Sequence, residues 1–174
     1  MRDASKQTEE IQNNIDRRYN EFISWIEDIE SEIKNKDLGS WDFEEIYSKT
    51  QNDNYFSLFV YKNDQAIFWS NSLIISDVAT KQNGIIQLNN GWFFLRQIQI
   101  GDYRVLYLMQ IKEVFPIANR YLKERFLFEQ KTNDQINIST RASSDYAVYI
   151  ADYPPFYLDF TKVEYWKSTA SNWK

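Results

Sequence analysis

Apolar residues recur at steps of three or four along the start of the chain. They form one stripe of a helix and comprise Ile11, Ile15, Tyr19, Phe22, Ile26, Ile29 and Ile33. This spacing predicts a long amphipathic helix from Ser5 to Asn35, with the additional apolar residues Ile23 and Trp25 in the half that packs on a sheet. Because the same spacing is close to a heptad repeat, the N-terminal half either packs within its own domain or projects toward a second copy of the chain.

A short helix and a hairpin follow. Gly39 is suited to end the first helix, and Ser40 is expected to cap a second helix that extends to Thr50. The segments 55–61 and 66–70 then flank the sequence Lys-Asn-Asp-Gln, whose central residues suit a tight turn. Pairing across this turn is expected to set three pairs opposite each other: Val60 with Ile67, Phe59 with Phe68 and Leu58 with Trp69.

Residues 85–111 carry the longest strand pattern and predict the hairpin at the centre of a sheet. A two-residue loop, Gly101-Asp102, places four pairs opposite each other on one face: Ile98 with Val105, Arg96 with Tyr107, Phe94 with Met109 and Trp92 with Ile111. This face is apolar except for Arg96 and the Tyr107 hydroxyl group. The other face is apolar near Trp92 and becomes polar toward the turn, so both faces are expected to be covered at the Trp92 end only.

The remainder of the chain predicts shorter elements. Residues 112–130 are expected to form a connecting helix that starts near Pro116. Short strands are expected at 136–140, 146–150 and 156–160, and the residues after 161 have no clear pattern. The predicted fold class is therefore α+β, with a long N-terminal helix packed on a central antiparallel sheet of about five or six strands.

The composition excludes much chemistry. The 174 residues are 43% hydrophobic and 17% aromatic, which is enough for one domain with a substantial core. The chain has no Cys and no His, so it cannot supply a thiol nucleophile, a disulfide, a Ser-His-Asp triad or the usual zinc and haem ligand sets. The net charge of −5 argues against a nucleic-acid partner. We expect no catalytic residues, no metal and no cofactor.

Six residues are candidates for ligand binding: Arg96, Tyr107, Trp92, Phe94, Trp69 and Ser70. Arg96 is the strongest candidate, because an arginine in an apolar strand face is energetically costly unless it is paired. A carboxylate or phosphate of a ligand would pair it with two hydrogen bonds. The alternatives for Arg96 are an internal ion pair, with Asp77, Glu113 or another acidic residue, or a head group that reaches water. The aromatic candidates would line an apolar pocket or belong to the core, and Ser70 is a hydrogen-bonding candidate at the end of a strand.

Two stretches, FVYKNDQAIFWSNSLI at 59–74 and the segment 88–126, resemble the sensor region of a group of Bacteroidetes-type membrane histidine kinases. The resemblance spans roughly residues 55–128 and rests on aromatic and structural motifs. The matching residues are Phe68, Trp69 and Ser70, then Asn90, Gly91, Trp92 and Phe93, and finally Asn119, Tyr121, Leu122 and Phe126. Pro116 and the two residues after it depart from the aromatic-rich form of the last segment.

The order of elements also resembles that of extracytoplasmic PAS-like or Cache sensor domains. This resemblance implies a domain between two transmembrane helices on the periplasmic or extracytoplasmic face of the inner membrane, tethered to the membrane in the full-length protein. A small-molecule ligand, an anion being one option, would bind beside the sheet, and the resulting shift would pass along helices to a cytoplasmic kinase. The kinase must lie outside this segment, since a phosphoacceptor histidine is absent from it.

On this interpretation residues 1–36 form a membrane-proximal stalk and packing helix, 37–165 the PAS/Cache-like sensor core, and 166–174 a tail toward a second membrane segment. The expected partners are the small-molecule ligand and a second copy bound through the N-terminal helix. Two alternatives stay open. The segment is a non-catalytic dimerisation or protein-interaction module, or it is the sensor domain of a chemoreceptor or a diguanylate cyclase.

Overall fold

A long N-terminal helix and an antiparallel sheet dominate the fold, as the hydrophobic pattern predicts. The computed structural model describes residues 4–34, 41–50, 55–71, 81–115, 124–127, 136–142 and 144–160. Helix α1 spans Ala4–Lys34 without interruption, and α2 spans Phe43–Thr50. No helix in these ranges is long and apolar enough to cross a membrane.

The larger sheet contains six strands among the described residues. They are β1 (Phe56–Lys62), β2 (Gln65–Trp69), β3 (Gly84–Leu88), β4 (Gly91–Ile100), β5 (Tyr103–Glu113) and β6 (Arg125–Phe126). The order is β2-β1-β5-β4-β3, every pairing is antiparallel, and β6 pairs with the end of β5. The hairpin predicted over residues 85–111 is wrong at its start, because residues 85–88 belong to the separate strand β3, which turns back and pairs with β4. The rest of it, β4–β5, lies inside the sheet with a neighbour on each side.

A second, smaller sheet follows near the end of the described chain. Its strands are β7 (Asn137–Ser139), β8 (Ala147–Val148) and β9 (Phe156–Asp159), in the order β7-β9-β8. The strands expected at 136–140 and 156–160 are confirmed. The strand expected at 146–150 is shorter, because after β8 the backbone of Tyr149 bonds to the side chain of Gln12 and Ala151 adopts a positive φ of 46°.

Helix α1 packs on both sheets and buries its apolar stripe within one chain, with Tyr19 alone of the stripe partly exposed. Ile11 and Ile15 are 0% exposed and belong to the same core as Val148 and Phe156 of the small sheet. Further along α1, the Phe22 ring contacts rings of the large sheet. Of the two arrangements expected for the N-terminal half, the described structure shows the first, a stripe that packs within its own domain.

The large sheet has two covered faces. The helix face, which packs on α1, includes Phe56, Leu58, Val60, Phe94, Val105, Tyr107 and Met109. The opposite face carries a separate buried cluster of Phe59, Tyr61, Ile86, Phe93, Leu95, Leu106 and Leu108. Burial on both faces explains why the strands read as apolar runs rather than as alternating patterns.

The register predicted for the first hairpin is wrong by one residue beyond its turn. The turn itself is as expected, with φ values of 48° at Asn63 and 61° at Asp64. A bulge follows, so that Val60 pairs with Phe68 instead of Ile67, and the expected pairs of Phe59 with Phe68 and Leu58 with Trp69 are replaced by Phe59 with Trp69. The shift brings the Phe68 ring to the helix face, where it stacks on Phe43 at 5.1 Å.

In the central hairpin three of the four predicted pairs are confirmed. Ile98 pairs with Val105, Arg96 with Tyr107 and Phe94 with Met109, but Trp92 pairs with Lys112 instead of Ile111 because the strands shift between Trp92 and Phe93. Gly91, next to the shift, lies against the backbone carbonyl of Lys112, and a Cβ there would clash with it. This close approach requires a glycine.

Two further predictions fail in the described residues. Helix α2 begins at Phe43 and is capped by Asp42, whose Oδ1 accepts the N–H groups of Glu44 and Glu45 at 3.0 and 3.1 Å. The connecting helix expected to start near Pro116 within residues 112–130 is contradicted at residues 125–126, which form β6. Ser40, Gly39, residues 116–123 and the C-terminal tail lie outside the described residues.

Candidate functional site

Arg96 and Tyr107 are cross-strand neighbours on the helix face, at the centre of the large sheet. The two-residue turn at Gly101-Asp102 fixes their register, so each stands on the inner strand of the hairpin directly opposite the other. Tyr107 is fully buried, and Arg96 is half-buried. Both side chains face α1, which covers this side of the sheet.

The Tyr107 hydroxyl has no hydrogen-bond partner among the described residues. Trp25 of α1 packs its ring edge-on against the Tyr107 ring at 5.9 Å, and its buried indole Nε1 is also unpartnered. The pKa of Tyr107 lies far above the usual tyrosine range. Burial is the main cause, the charge of Glu30 raises this pKa further, and the charge of Arg96 lowers it. Tyr107 is therefore a neutral hydroxyl donor at any physiological pH.

The Arg96 guanidinium forms no ion pair or hydrogen bond in the part of the chain that the structure describes. Of the internal partners considered, Glu113 instead accepts a hydrogen bond from Arg125 at 3.1 Å, and Asp77 lies outside the described residues. Arg96 also acts on Tyr19 of α1. Burial raises the pKa of Tyr19, as do Tyr153 and Asp152, whereas Arg96 lowers it.

These three side chains form what we call the donor cluster: Arg96, Tyr107 and Trp25. Each can donate hydrogen bonds, and none has an acceptor among the described residues. Two of these donors, the Tyr107 hydroxyl and the Trp25 Nε1–H, are buried, and leaving a neutral donor buried and unpaired costs roughly 1–3 kcal/mol. An acceptor placed between α1 and the sheet would remove that cost. A bound molecule with an oxygen-rich or anionic group is therefore chemically matched to this position.

Phe94 and Trp92 lie on the same face, and both pack against the core that the described residues form. Phe94 is 0% exposed, with edge-to-face contacts to Tyr19 at 5.6 Å and Tyr153 at 4.9 Å. Trp92 is half-buried at the margin of the same core. Phe94 is a core residue between α1 and the loop before β9, and its contribution to a site would be the wall of the core beside Arg96.

Trp69 and Ser70 lie away from the donor cluster. Trp69 stands on edge strand β2, opposite Phe59, and is 52% exposed on the other face of the sheet. The Ser70 Oγ accepts the Leu58 N–H at 2.9 Å, and the Ser70 N–H donates to the Leu58 carbonyl at 3.0 Å. Ser70 therefore closes the open end of the first hairpin. The fold does not bring these two residues together with Arg96 and Tyr107.

A polar groove of about 310 Å³ lies at the turn end of the opposite face. It is lined by Tyr61, Asn63, Asp64, Gln99, Gly101, Asp102 and Arg104. Its arginine differs from Arg96, because the Arg104 guanidinium is 3.0 Å from Asp64 and lies over the Tyr61 ring at 5.4 Å. Arg104 thus has internal partners and provides a useful comparison for Arg96.

Sequence reasoning missed two residues of this region, Trp25 and Glu30. The sequence predicts that Trp25 packs on the sheet, which it does, but its indole N–H is the polar end of an otherwise apolar side chain. Glu30 lies beyond Trp25 on α1 and raises the pKa of Tyr107. A tryptophan on the packing face of a helix that covers an arginine-bearing strand is the signal that could have identified the cluster.

Comparison with known proteins gives no match to this chain. It matches no protein-family model, and the searches of curated proteins and of solved structures found no match. The resemblance to sensor domains of membrane histidine kinases therefore stays a prediction.

Proposed function

We propose that this segment is the ligand-sensing input domain of a transmembrane two-component sensor histidine kinase, on the extracytoplasmic side of the membrane. The observation that carries the proposal is the donor cluster, which sits between the long helix and the central hairpin. The resemblance of residues 55–128 to such sensor domains supports the same function. The domain itself is non-catalytic, and the kinase lies elsewhere in the full-length protein.

The position of the cluster supports sensing, because one of its donors belongs to α1 and two belong to the sheet. A ligand that accepts hydrogen bonds from Trp25 and Tyr107 would contact both elements at once. Its binding energy would then depend on how α1 lies on the sheet. A ligand shifts a conformational equilibrium by its difference in affinity for the two states, so a site at this interface is suited to move α1.

The packing of α1 bears on the alternative of a dimerisation module. The stripe that would form a coiled-coil seam is buried in one chain, with each of Ile11, Ile15, Phe22, Ile26, Ile29 and Ile33 at most 1% exposed. A dimer through α1 would therefore use the outer, polar surface of the helix. This favours ligand sensing as the primary function, and homodimerisation stays a prediction.

A thermal-shift screen of small metabolites tests the binding part. A ligand of the native state raises the melting temperature. We expect at least one anionic compound to do so with the wild-type protein and with Arg104→Gln, but not with Arg96→Gln. Equal shifts in both variants, or no shift with any compound, would contradict binding at the donor cluster.

The sequences that flank this segment in its gene test the receptor part. We expect a hydrophobic stretch of transmembrane length on each side and a histidine-containing kinase core after the second. A flanking cyclase or chemoreceptor signalling region would instead select one of the alternatives, and a gene without membrane segments would overturn the receptor assignment.

A further inference from the structure

We propose that the polar groove on the opposite face of the large sheet, together with the exposed ring of Trp69, binds a neutral carbohydrate. The Trp69 ring would stack on the apolar face of a sugar, and the polar side chains of the groove would bind its hydroxyl groups. This site goes beyond the proposed function, since it lies on the face of the sheet away from α1 and from the donor cluster.

The strand register places the groove and Trp69 side by side. Tyr61, Arg104 and Gln99 are successive partners across β1, β5 and β4, so they form one row of the opposite face. With about 4.8 Å between neighbouring strands, the row is about 10 Å long. Trp69 pairs with Phe59, two residues before Tyr61 on β1, and is therefore the diagonal neighbour of Tyr61. Such neighbours lie roughly 7–8 Å apart, within reach of aromatic side chains.

Trp69 is exposed although it belongs to a strand of the sheet. It is 52% exposed, and Ile67 on the same strand is 41% exposed. Phe68, between them, instead stacks on Phe43 on the helix face. An exposed tryptophan ring is a large, rigid apolar surface with a polar N–H at one edge. The C–H groups on one face of a sugar ring match such a surface, and covering it removes apolar area from water.

The groove offers both donors and acceptors for hydroxyl groups. The Arg104 Nη2 lies 3.0 Å from the Asp64 Oδ1, so a guanidinium and a carboxylate stand next to each other at the surface. A hydroxyl group is both a donor and an acceptor, so of two neighbouring hydroxyls one can donate to Asp64 while the other accepts from Arg104. The Gln99 Nε2 already donates to the Gly101 carbonyl at 2.8 Å, which leaves the Gln99 Oε1 as a further acceptor.

The charges and the size of the groove select a neutral ligand with two rings. Arg104 and Asp64 neutralise each other, and Asp102 adds one exposed negative charge. An anion would be repelled by two carboxylates, and a cation would compete with Arg104 for Asp64. The groove volume of about 310 Å³ is at the lower end of the range for ligand sites, roughly 300–1,000 Å³. A disaccharide with one ring in the groove and the other on Trp69 matches these dimensions.

The test follows the indole N–H signals of the ¹⁵N-labelled protein by NMR during titration with maltose, cellobiose, lactose and N,N′-diacetylchitobiose. We expect the Trp69 signal to shift and saturate with at least one of these sugars at millimolar concentration. Trp25 and Trp41 pack in the core on the helix face, so their signals should stay in place and report an intact fold. Glycerol, which has hydroxyl groups but no ring, and acetate, which is an anion, should bind far more weakly.

Substitutions connect the binding to both parts of the site, with the backbone amide of Gly101 as the reporter. Trp69→Ala should weaken binding by about tenfold, whereas Trp69→Phe keeps a ring and should lose less. Arg104→Gln should also weaken it by about tenfold, the usual range for losing a hydrogen bond to a charged group. Two variants are controls and should bind as the wild type does. Tyr47→Ala removes an aromatic side chain that is 47% exposed, and Arg96→Gln changes the helix face.

Carbohydrate binding at this groove is ruled out if none of the four sugars moves the Trp69 signal, or if glycerol binds as tightly as they do. It is also ruled out if Trp69→Ala and Arg104→Gln bind as the wild type does. A sugar that requires Arg96 instead of Arg104 would overturn this site and place the ligand at the donor cluster. A negative result leaves the proposed sensing function standing, because the test of that function uses anionic compounds and depends on Arg96.

Discussion

The Gln12 side chain of α1 forms two hydrogen bonds with the backbone of Tyr149. Its Nε2 donates to the Tyr149 carbonyl at 2.9 Å, and its Oε1 accepts the Tyr149 N–H at 2.8 Å. The side-chain amide thus pairs with one residue as a neighbouring strand would, just after β8 ends. This contact fixes the small sheet to the N-terminal half of α1 at a point where the backbone would otherwise lack partners.

Replacing Gln12 tests this attachment. Gln12→Leu should lower the free energy of unfolding by about 1 kcal/mol. The N–H and carbonyl groups of Tyr149 lose their hydrogen bonds to Gln12, and water replaces those bonds at this exposed position. Gln12→Glu keeps an acceptor for the Tyr149 N–H and should cost less. Asn13, the exposed neighbour on α1, provides the control. Urea unfolding measures the stability, and amide exchange at Tyr149 should accelerate in the leucine variant only.

Without ligand, Tyr107→Phe should make the protein more stable. The substitution removes a buried hydroxyl that has no described partner while it keeps the ring that packs against Trp25. We expect a gain of about 1 kcal/mol in urea unfolding, because an unsatisfied buried polar group is destabilising. Sites of function commonly carry such a stability cost. A loss of more than 1 kcal/mol would show that the hydroxyl is satisfied internally.

The same tyrosine makes stability depend on alkaline pH. Burial, and then Glu30, raise the pKa of Tyr107 in the folded state, with Arg96 acting against them. The folded state therefore keeps a proton that the unfolded chain loses above its ordinary pKa of about 10. This contribution to stability is complete below that pH and falls as the pH rises above it, by at most about 1.4 kcal/mol per pH unit.

Urea unfolding between pH 8 and pH 11 measures this loss. Tyr107→Phe should show a smaller decline than the wild type above pH 10. Tyr149→Phe, which removes a hydroxyl from a side chain that is 55% exposed, should decline as the wild type does. Identical curves for all three proteins would mean that Tyr107 ionises freely in the folded state.

The buried Lys112 offers a test of internal charge pairing. Its Nζ donates to Glu124 at 2.8 Å and to the Ile136 carbonyl at 2.8 Å, and its side chain is 3% exposed. Glu124→Gln should cost roughly 1–2 kcal/mol, because it leaves a buried ammonium with reduced compensation while water reaches the partly exposed Glu124 position.

Glu113→Gln is the matched control for that substitution. It breaks the ion pair of Glu113 with Arg125, whose side chain is 65% exposed, and lies one residue from Lys112. Exposed pairs contribute little, so the expected cost is below about 1 kcal/mol. If thermal or urea unfolding gave equal losses of stability for the two variants, the Lys112–Glu124 pair would contribute no more than the exposed pair.

The sequence predicts the centre of this fold better than its margins, for a physical reason. A two-residue turn fixes the pairing of the strands that it joins, so Arg96 could be placed opposite Tyr107. Bulges change the register without a clear sequence signal, and both errors in pairing, at Val60 and at Trp92, occur at bulges. Phe68, which stacks on Phe43, and Lys112, which bonds to Glu124, lie next to these bulges and contact residues that are distant in the sequence.

Local patterns also mislead where long-range pairing overrides them. The segment after Pro116 has helical spacing, but Arg125 and Phe126 form a strand because they pair with the end of β5. For the candidate site, the costly arginine on an apolar face was visible in the sequence. Trp25 was not, since its indole N–H becomes significant only when α1 is laid over Tyr107. Contacts between distant elements are the part that no local pattern encodes.

The length of α1 gives its two attachments different mechanical roles. At about 1.5 Å per residue the helix is a rod of about 46 Å. Trp25 in its C-terminal half contacts Tyr107 of the large sheet, and Gln12 in its N-terminal half contacts Tyr149 beside the small sheet, so α1 connects the two sheets. A tilt of about 5° pivoting at one end would swing the other by about 4 Å, given that length. A shift too small to disturb the packing around Tyr107 would thus be magnified at the far tip of the rod.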